Sequence, residues 1–226
     1  MITLAEENYL KAILKLSKNS EDSVSTNAIA DELETKASSV TDMIKKLTDK
    51  QLVDYVPYRG VNLSKPGLNK AVEIVRKHRL WEVFLVTKLQ FKWDEVHYVA
   101  EQLEHIKSQK LVDALDAYLG YPQHDPHGEP IPNKYGKYPK SFSKRLSELE
   151  KGSIGQVVGV SQDNQSFLQY LNSLNITLGT SISVIQKIEF DDSLEITINN
   201  KSAHISNDVA RNLSVSYTHL RAHETR

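Results

Sequence analysis

The chain has no cysteine. Disulfides are therefore excluded, and so is any metal site built on thiolate. It also lacks a long apolar run, so no segment reads as a membrane span, and nothing at its start reads as a secretory leader. These absences predict a cytoplasmic protein with no membrane partner. An excess of one charge is missing too: 28 Lys and Arg face 29 Asp and Glu, a formal net charge of −1. That argues against a uniformly basic coat for nucleic acid. Proline is scarce at seven residues, and five of these fall in YPQHDPHGEPIPNKYGKYPK, residues 121–140. An extended loop leading into a linker is expected there.

What is present is 226 residues with 39% hydrophobic and 25% charged side chains, an ordinary globular composition and enough chain for two or three small domains. The neutral average hides a gradient. From Lys36 to Arg79 ten basic residues face four acidic ones, and from Lys151 to Leu213 four face six. A basic block in a near-neutral chain points to a local polyanion contact or to a solvated face.

Residues 3–17 repeat Leu4, Tyr9, Ile13 and Leu16 at helical spacing, with Glu6 and Glu7 in the first turn, where they favour the helix dipole. STNAIADEL is a short helix capped by Ser25 or Thr26, ETKA a turn, and SSVTDMIKKLTDKQL a third helix with Ser38 as its expected cap. Helix, short helix, tight turn, helix is the helix-turn-helix order. Two short strands, Val53–Val56 and Val61–Leu63, then flank an Arg59-Gly60 turn and read as a wing. Ser38, Ser39, Thr41 and Asp42 lie on the first turns of the third helix, where side chains approach base edges. Lys36, Lys45, Lys46, Lys50 and Arg59 are candidates for phosphate contacts, which set affinity rather than sequence choice.

Another helix starts near Pro66, and the middle of the chain is helical, with Asp94 expected to cap WDEVHYVAEQLEHI. Its apolar residues, Val83, Phe84, Val86, Leu89, Val99 and Leu103 among them, exceed what one small layer can bury, so self-association is expected. Past the proline loop the pattern changes to short β-branched strands: IGQVVGV, ISVIQKIEF, LEITINN and SAHIS, with Asp191-Asp192-Ser193 as a hairpin turn. About sixty residues of this kind point to a small SH3-like barrel. The last thirteen residues, SVSYTHLRAHETR, resemble a translated cloning or sequencing adapter. They are set aside from the fold, and His219 and His223 are not counted as ligands.

The chemistry concentrates in VHYVAEQLEHI. On a helix His97, Glu101, Glu104 and His105 point at about 0°, 40°, 340° and 80°, inside an arc of roughly 100°. Imidazole and carboxylate are ligands that first-row transition metals favour. His78 and Glu82 repeat the i, i+4 spacing one helix earlier. If the two helices face each other they hold metal; spacing alone also describes a solvated face with ordinary salt links. His124-Asp125-Pro126-His127 has the look of a metal clip, but a proline-rich turn explains it better.

EENYLKAI, AIADEL…SSVTDMIKKL, the RG wing, VRKHRLWEVFL, EVHYVAEQLEH and HGEPIP stand here in one order. Together they resemble the diphtheria-toxin-repressor and manganese-transport-regulator family of metal-dependent repressors. The likeness covers residues 3 to about 140, and the barrel fits the three-domain members. It implies a primary metal site at Asn8, Glu101, Glu104 and His105, and an ancillary site at His78, Glu82 and His97. Asp163 and Gln165 are the closest matches to ligands that the barrel adds in such members. The resemblance also implies an anion beside the ancillary metal, held by Arg79; here Asp125 or Glu129 is expected to pair with Arg79 instead. Two departures stand out. Asn8 is a neutral amide where a stronger donor is usual, and Lys11 stands where short manganese regulators carry a second acid.

The expected fold is α+β, mainly α. It comprises a winged helix-turn-helix DNA-binding domain (1–72), a helical metal-binding and dimerisation domain (73–140), a linker (141–150), an SH3-like, FeoA-like barrel (151–213) and a non-native tail (214–226). The expected function is a homodimeric, metal-dependent repressor of metal-ion uptake genes that binds a double-stranded DNA operator. It is not an enzyme. Oxygen and imidazole donors suit Mn(II) or Fe(II), with Zn(II) or Co(II) able to substitute in vitro. A di-metal hydrolase or oxidase, and a winged-helix regulator sensing a non-metal ligand, remain open alternatives.

Overall fold

The computed structural model describes residues 2–17, 23–57, 59–140 and 143–217. Contacts divide them into two compact units. The first runs to Trp81 and includes Ala100–Tyr118 and Ile131–Tyr138; the second comprises Glu82–Val99, Leu119–Pro130 and the chain from Pro139 onward. The helical stretch expected as a domain of its own, 73–140, is thus shared between them.

In the first unit α1 (Leu4–Leu16), α2 (Thr26–Glu32) and α3 (Ala37–Asp49) precede the antiparallel pair β1 (Val53–Val56) and β2 (Gly60–Leu63). A capping box starts α1: Thr3 Oγ1 accepts from the Glu6 amide, and Glu6 Oε2 accepts from the Thr3 amide at 2.8 Å. Ser25 caps α2. Ser38 does not cap α3: the cap position is Lys36, which makes no side-chain cap bond, so Ser38 and Ser39 fall in the first turn. The helical backbone extends one residue upstream of the first hydroxyl, and Ser pattern alone does not fix that boundary. Leu10, Ile13, Ile29, Val40, Ile44, Leu47 and Val61 are fully buried and pack the three helices against the wing. Val24 pairs with Val61, and Gly60 at φ +111° lies so close that a Cβ there would sit 2.7 Å from the Val24 carbonyl oxygen. Only glycine fits that turn.

The middle of the chain is α4 (Lys65–Leu89), α5 (Val96–Leu103) and α6 (Gln109–Tyr118). Helix α5 is shorter than the sequence implies. It starts two residues after Asp94 and ends before Glu104 and His105, which lie in the following turn.

The second unit is built on β3 (Ser143–Arg145), β4 (Ile154–Val160), β5 (Ser181–Lys187), β6 (Leu194–Ile198), β7 (Lys201–Ile205) and β8 (Leu213–Tyr217), with α7 (Gln165–Ser173) and α8 (Asn207–Arg211). The strands form one antiparallel sheet in the order β3-β8-β4-β5-β6-β7, bent by bulges at Val157/Gly159 and Val184/Gln186. It wraps a core of Val157, Leu168, Leu171, Ile176, Ile182, Ile196 and Val215. Two expected boundaries are corrected. The linker of 141–150 contains β3 and the buried Leu146 and Leu149. The set-aside tail begins inside β8, where Ser214–Tyr217 pair with β3 and β4. In both cases partners distant in sequence recruit the backbone, which side-chain alternation in a three- or five-residue strand does not reveal. His219 and His223 lie outside the described residues.

Candidate metal centres and nucleic-acid face

In the first unit α1 meets the end of α5. Glu104 is 1% exposed, and its two oxygens face different partners. Oε2 accepts from Lys11 Nζ at 2.7 Å and from His78 Nδ1 at 2.5 Å, while Oε1 lies 4.0 Å from His105 Nε2. Burial raises the Glu104 carboxyl, but the His78 bond and the charges of Lys11 and His78 outweigh it and hold the group below its ordinary value. His105 Nδ1 donates to Glu7 Oε2 at 2.6 Å, which orients the ring with Nε2 toward Glu104. Glu101, half exposed, reaches to 3.7 Å from Lys11. Asn8 is exposed, and the α1 acid buried at this junction is its neighbour Glu7. One residue along a helix turns the side chain by about 100°.

The second unit holds a more deeply buried cluster. Glu82, Asp125 and His127 are 1%, 5% and 2% exposed, and each offers a donor atom within 4.8 Å of the others. Glu82 comes from α4 and the other two from the proline loop. Asp125 Oδ1 accepts from the amides of His127 and Glu129 at 2.8 and 2.9 Å, which shapes the turn. The His127 carbonyl accepts from the Val160 amide, anchoring that turn to β4. Gly128, at φ +83°, leaves no room for a Cβ, which would fall 2.0 Å from the Val158 carbonyl oxygen. His127 Nε2 donates to the Trp93 carbonyl at 2.8 Å, so Nδ1 is aimed at Glu82 Oε2, 3.4 Å away. Burial lowers the His127 ring, but Glu82, Asp125 and the Trp93 carbonyl together push it up to about 9. On the outer side His97 Nδ1 lies 3.0 Å from Asp163 Oδ2 and 3.6 Å from Glu82 Oε1.

Both donor sets fit a borderline or hard divalent ion. They consist of carboxylate oxygen and imidazole nitrogen, are largely buried, and need positive charge to compensate them. Of the residues singled out in the sequence, Glu101, Glu104, His105 and His78 lie in the first unit, and Glu82, His97 and Asp163 in the second. Arg79 is half-buried in the first unit, whereas Asp125 and Glu129 belong to the second. Gln165 is exposed at the start of α7, and its side chain makes no hydrogen bond among the described residues. Sequence reasoning missed Glu7 and passed over His127. The signal for His127 is the HDPH string, a turn that also carries two donor side chains, Asp125 and His127.

On the winged helix, Lys36, Ser38, Ser39, Asp42, Lys45, Lys46 and Arg59 are exposed and Thr41 is half-buried. The Thr41 hydroxyl donates to the Ala37 carbonyl at 3.0 Å, and Lys45 lies 3.7 Å from Asp42. Lys50 differs from the other lysines: its ammonium donates to both oxygens of buried Glu6, at 2.7 and 2.8 Å. It ties α1 to the end of α3.

Residues 1–61 match the family described as "Iron dependent repressor, N-terminal DNA binding domain". Residues 64–133 match "Iron dependent repressor, metal binding and dimerisation domain", and residues 144–217 the "FeoA domain". A probable metal transport system membrane protein of Chlamydia trachomatis is 42% identical over 76 residues, 34% of this chain but 17% of that protein's length. The iron-dependent repressor IdeR of Mycobacterium leprae is 31% identical over 159 residues, covering 67% of this chain and 69% of that one. A manganese-dependent transcriptional repressor solved with manganese superposes with a TM-score of 0.85 at 35% identity, covering 94% of this chain and all of that one.

Proposed function

Because this chain belongs to the iron-dependent repressor family, we propose that it is a homodimeric, cytoplasmic repressor of metal-ion uptake genes, activated by Mn(II) or Fe(II), and not an enzyme. The observation that carries the reading is the contact of α1 with the end of α5, where buried acids and imidazoles converge on the first helix of a winged helix-turn-helix. Glu104, His105 and Glu101 would hold the ion there, with Glu7 orienting His105 and Asn8 next to it on α1. Glu82, Asp125 and His127 would hold a second ion in the other unit, with His97 and Asp163 beside them. A bound divalent ion supplies positive charge to these carboxylates and favours the arrangement in which they converge.

The remainder follows from this chain's own residues. Leu10 and Ile13 of α1 are core residues of the winged helix, so holding α1 holds the recognition helix. The Glu6–Lys50 bond adds a direct tie from α1 to the end of α3. Ser38, Ser39, Thr41 and Asp42 then present base-reading groups, and Lys36, Lys45, Lys46 and Arg59 present charge to phosphate. Leu89, Phe91 and Tyr98 keep apolar side chains exposed, as a self-association surface does. No helix among the described residues is long and apolar enough to cross a membrane.

An operator mobility assay in chelator, then with Mn(II), Fe(II), Co(II) and Zn(II) in turn, tests the reading. Binding is expected only with metal. Equal binding in chelator would sink it.

A further inference from the structure

Resting on the reading of the α1–α5 junction as a metal site, we propose that Lys11 is that junction's second cation. Its ammonium fills the side of Glu104 that faces His78, so the junction takes one divalent ion and not two. The geometry separates the two sides of one carboxylate. Toward Oε1, His105 presents Nε2 at 4.0 Å with its other nitrogen committed to Glu7. An ion at ligand distances of about 2.1 Å and a tetrahedral angle would draw these two donors together by roughly 0.6 Å. Toward Oε2 stands Lys11 Nζ, 2.7 Å from Glu104, 3.2 Å from His78 Nδ1 and 3.7 Å from Glu101 Oε1.

The ammonium therefore stands among two carboxylates and an imidazole nitrogen, groups that could ligate a divalent ion there only if that nitrogen gave up the proton it donates to Glu104. Lys11 is 17% exposed and Glu104 1%, so water screens little of its charge from Glu104. A second ion on that side would meet a fixed positive charge at close range, where repulsion is large. Two properties follow. The junction's compensation is half built into the chain, which a chelator cannot remove. And α1 is tied to the end of α5 through Lys11–Glu104 before any metal arrives, leaving the ion to complete the tie through His105.

The test compares the full-length protein with Lys11→Glu, Lys11→Met and His105→Ala. Each is equilibrated with Mn(II) and freed of excess ion, and bound manganese per subunit is measured by elemental analysis. Amide exchange of α1 is followed in chelator. His105→Ala marks how many ions belong to the junction: one fewer than the parent is expected. Lys11→Glu, which puts a carboxylate among Glu101, Glu104 and His78, is expected to bind one more ion than the parent. Lys11→Met is expected to exchange its α1 amides about tenfold faster than the parent in chelator. A Lys11→Glu protein with the parent's metal count overturns the proposal. Unchanged α1 exchange in Lys11→Met also overturns it, and this arm stands even if Lys11→Glu does not fold. A parent whose metal count equals that of His105→Ala sinks the underlying metal-site reading instead, so the two failures are distinguishable.

Discussion

The two acid clusters meet the same demand with different cations. At the α1–α5 junction the buried Glu104 is compensated by the Lys11 ammonium and the His78 ring. In the second unit Glu82 and Asp125 are compensated by a proton on His127, whose ring is pushed up to about 9. A buried carboxylate requires a partner charge in either place. The difference is whether that charge can leave. The Lys11 ammonium is tethered to α1 and held beside Oε2, so under the proposed reading an ion at the junction takes the opposite side of Glu104. An imidazolium gives up its proton, so an ion at the second cluster takes the place of that proton. The first cluster is therefore partly compensated by the chain itself, and under the proposed reading the second would exchange one cation for another.

The largest expected effect separates the clusters by their reach to the recognition helix. Glu104→Ala or His105→Ala is expected to lower operator affinity at saturating Mn(II) by about 100-fold while leaving a folded dimer, read by mobility shift and gel filtration. His127→Ala is expected to cost about tenfold in the same assay, because its cluster does not include α1. The reverse order would make the second cluster the switch.

A pH series in chelator sharpens the contrast in the nature of the cation. The folded His127 value, about 9, lies above the ordinary 6.5. Its contribution to stability is therefore complete below about pH 6.5 and is lost as pH rises through about 9. Urea midpoints are expected to fall across that window in the parent and to stay flatter in His127→Gln. A parent curve parallel to that of the variant would show that the second cluster is not held by a proton.

The smallest effect concerns how the junction reaches α3. Lys50→Ala, which frees buried Glu6, is expected to cost about 1 kcal/mol in urea unfolding, the modest value of a half-exposed pair. It should leave the salt dependence of operator binding unchanged. Lys45→Ala or Arg59→Ala is expected to do the opposite, reducing the salt slope by about one with no loss of stability. If Lys50→Ala flattens the salt slope instead, Lys50 contacts phosphate and the α1–α3 tie is incidental.

Much of this was legible in the chain because it rests on local pattern. The order of α1, α2, α3 and wing follows from apolar spacing, Ser25 and the Arg59-Gly60 turn, each a signal read within a few residues. The change to strands after residue 150 follows from β-branched alternation. The individual ligands were less legible. Asn8 and Glu7 are adjacent on one helix, and only packing against α5 decides which of them is buried. His127 sits in a proline-rich turn whose local reading is complete without any metal.

The sequence by itself determined the residue types that converge, carboxylate and imidazole with no thiolate, and the helical and strand elements that carry them, because composition and periodicity are properties of the chain alone. Only the tertiary structure decided which atoms face one another. It brought Asp125 and His127 to Glu82, drew Ser214–Tyr217 into the sheet and set Lys11 against Glu104. Those pairings join residues up to 93 positions apart, and at that distance burial and backbone packing, not spacing, choose the partner.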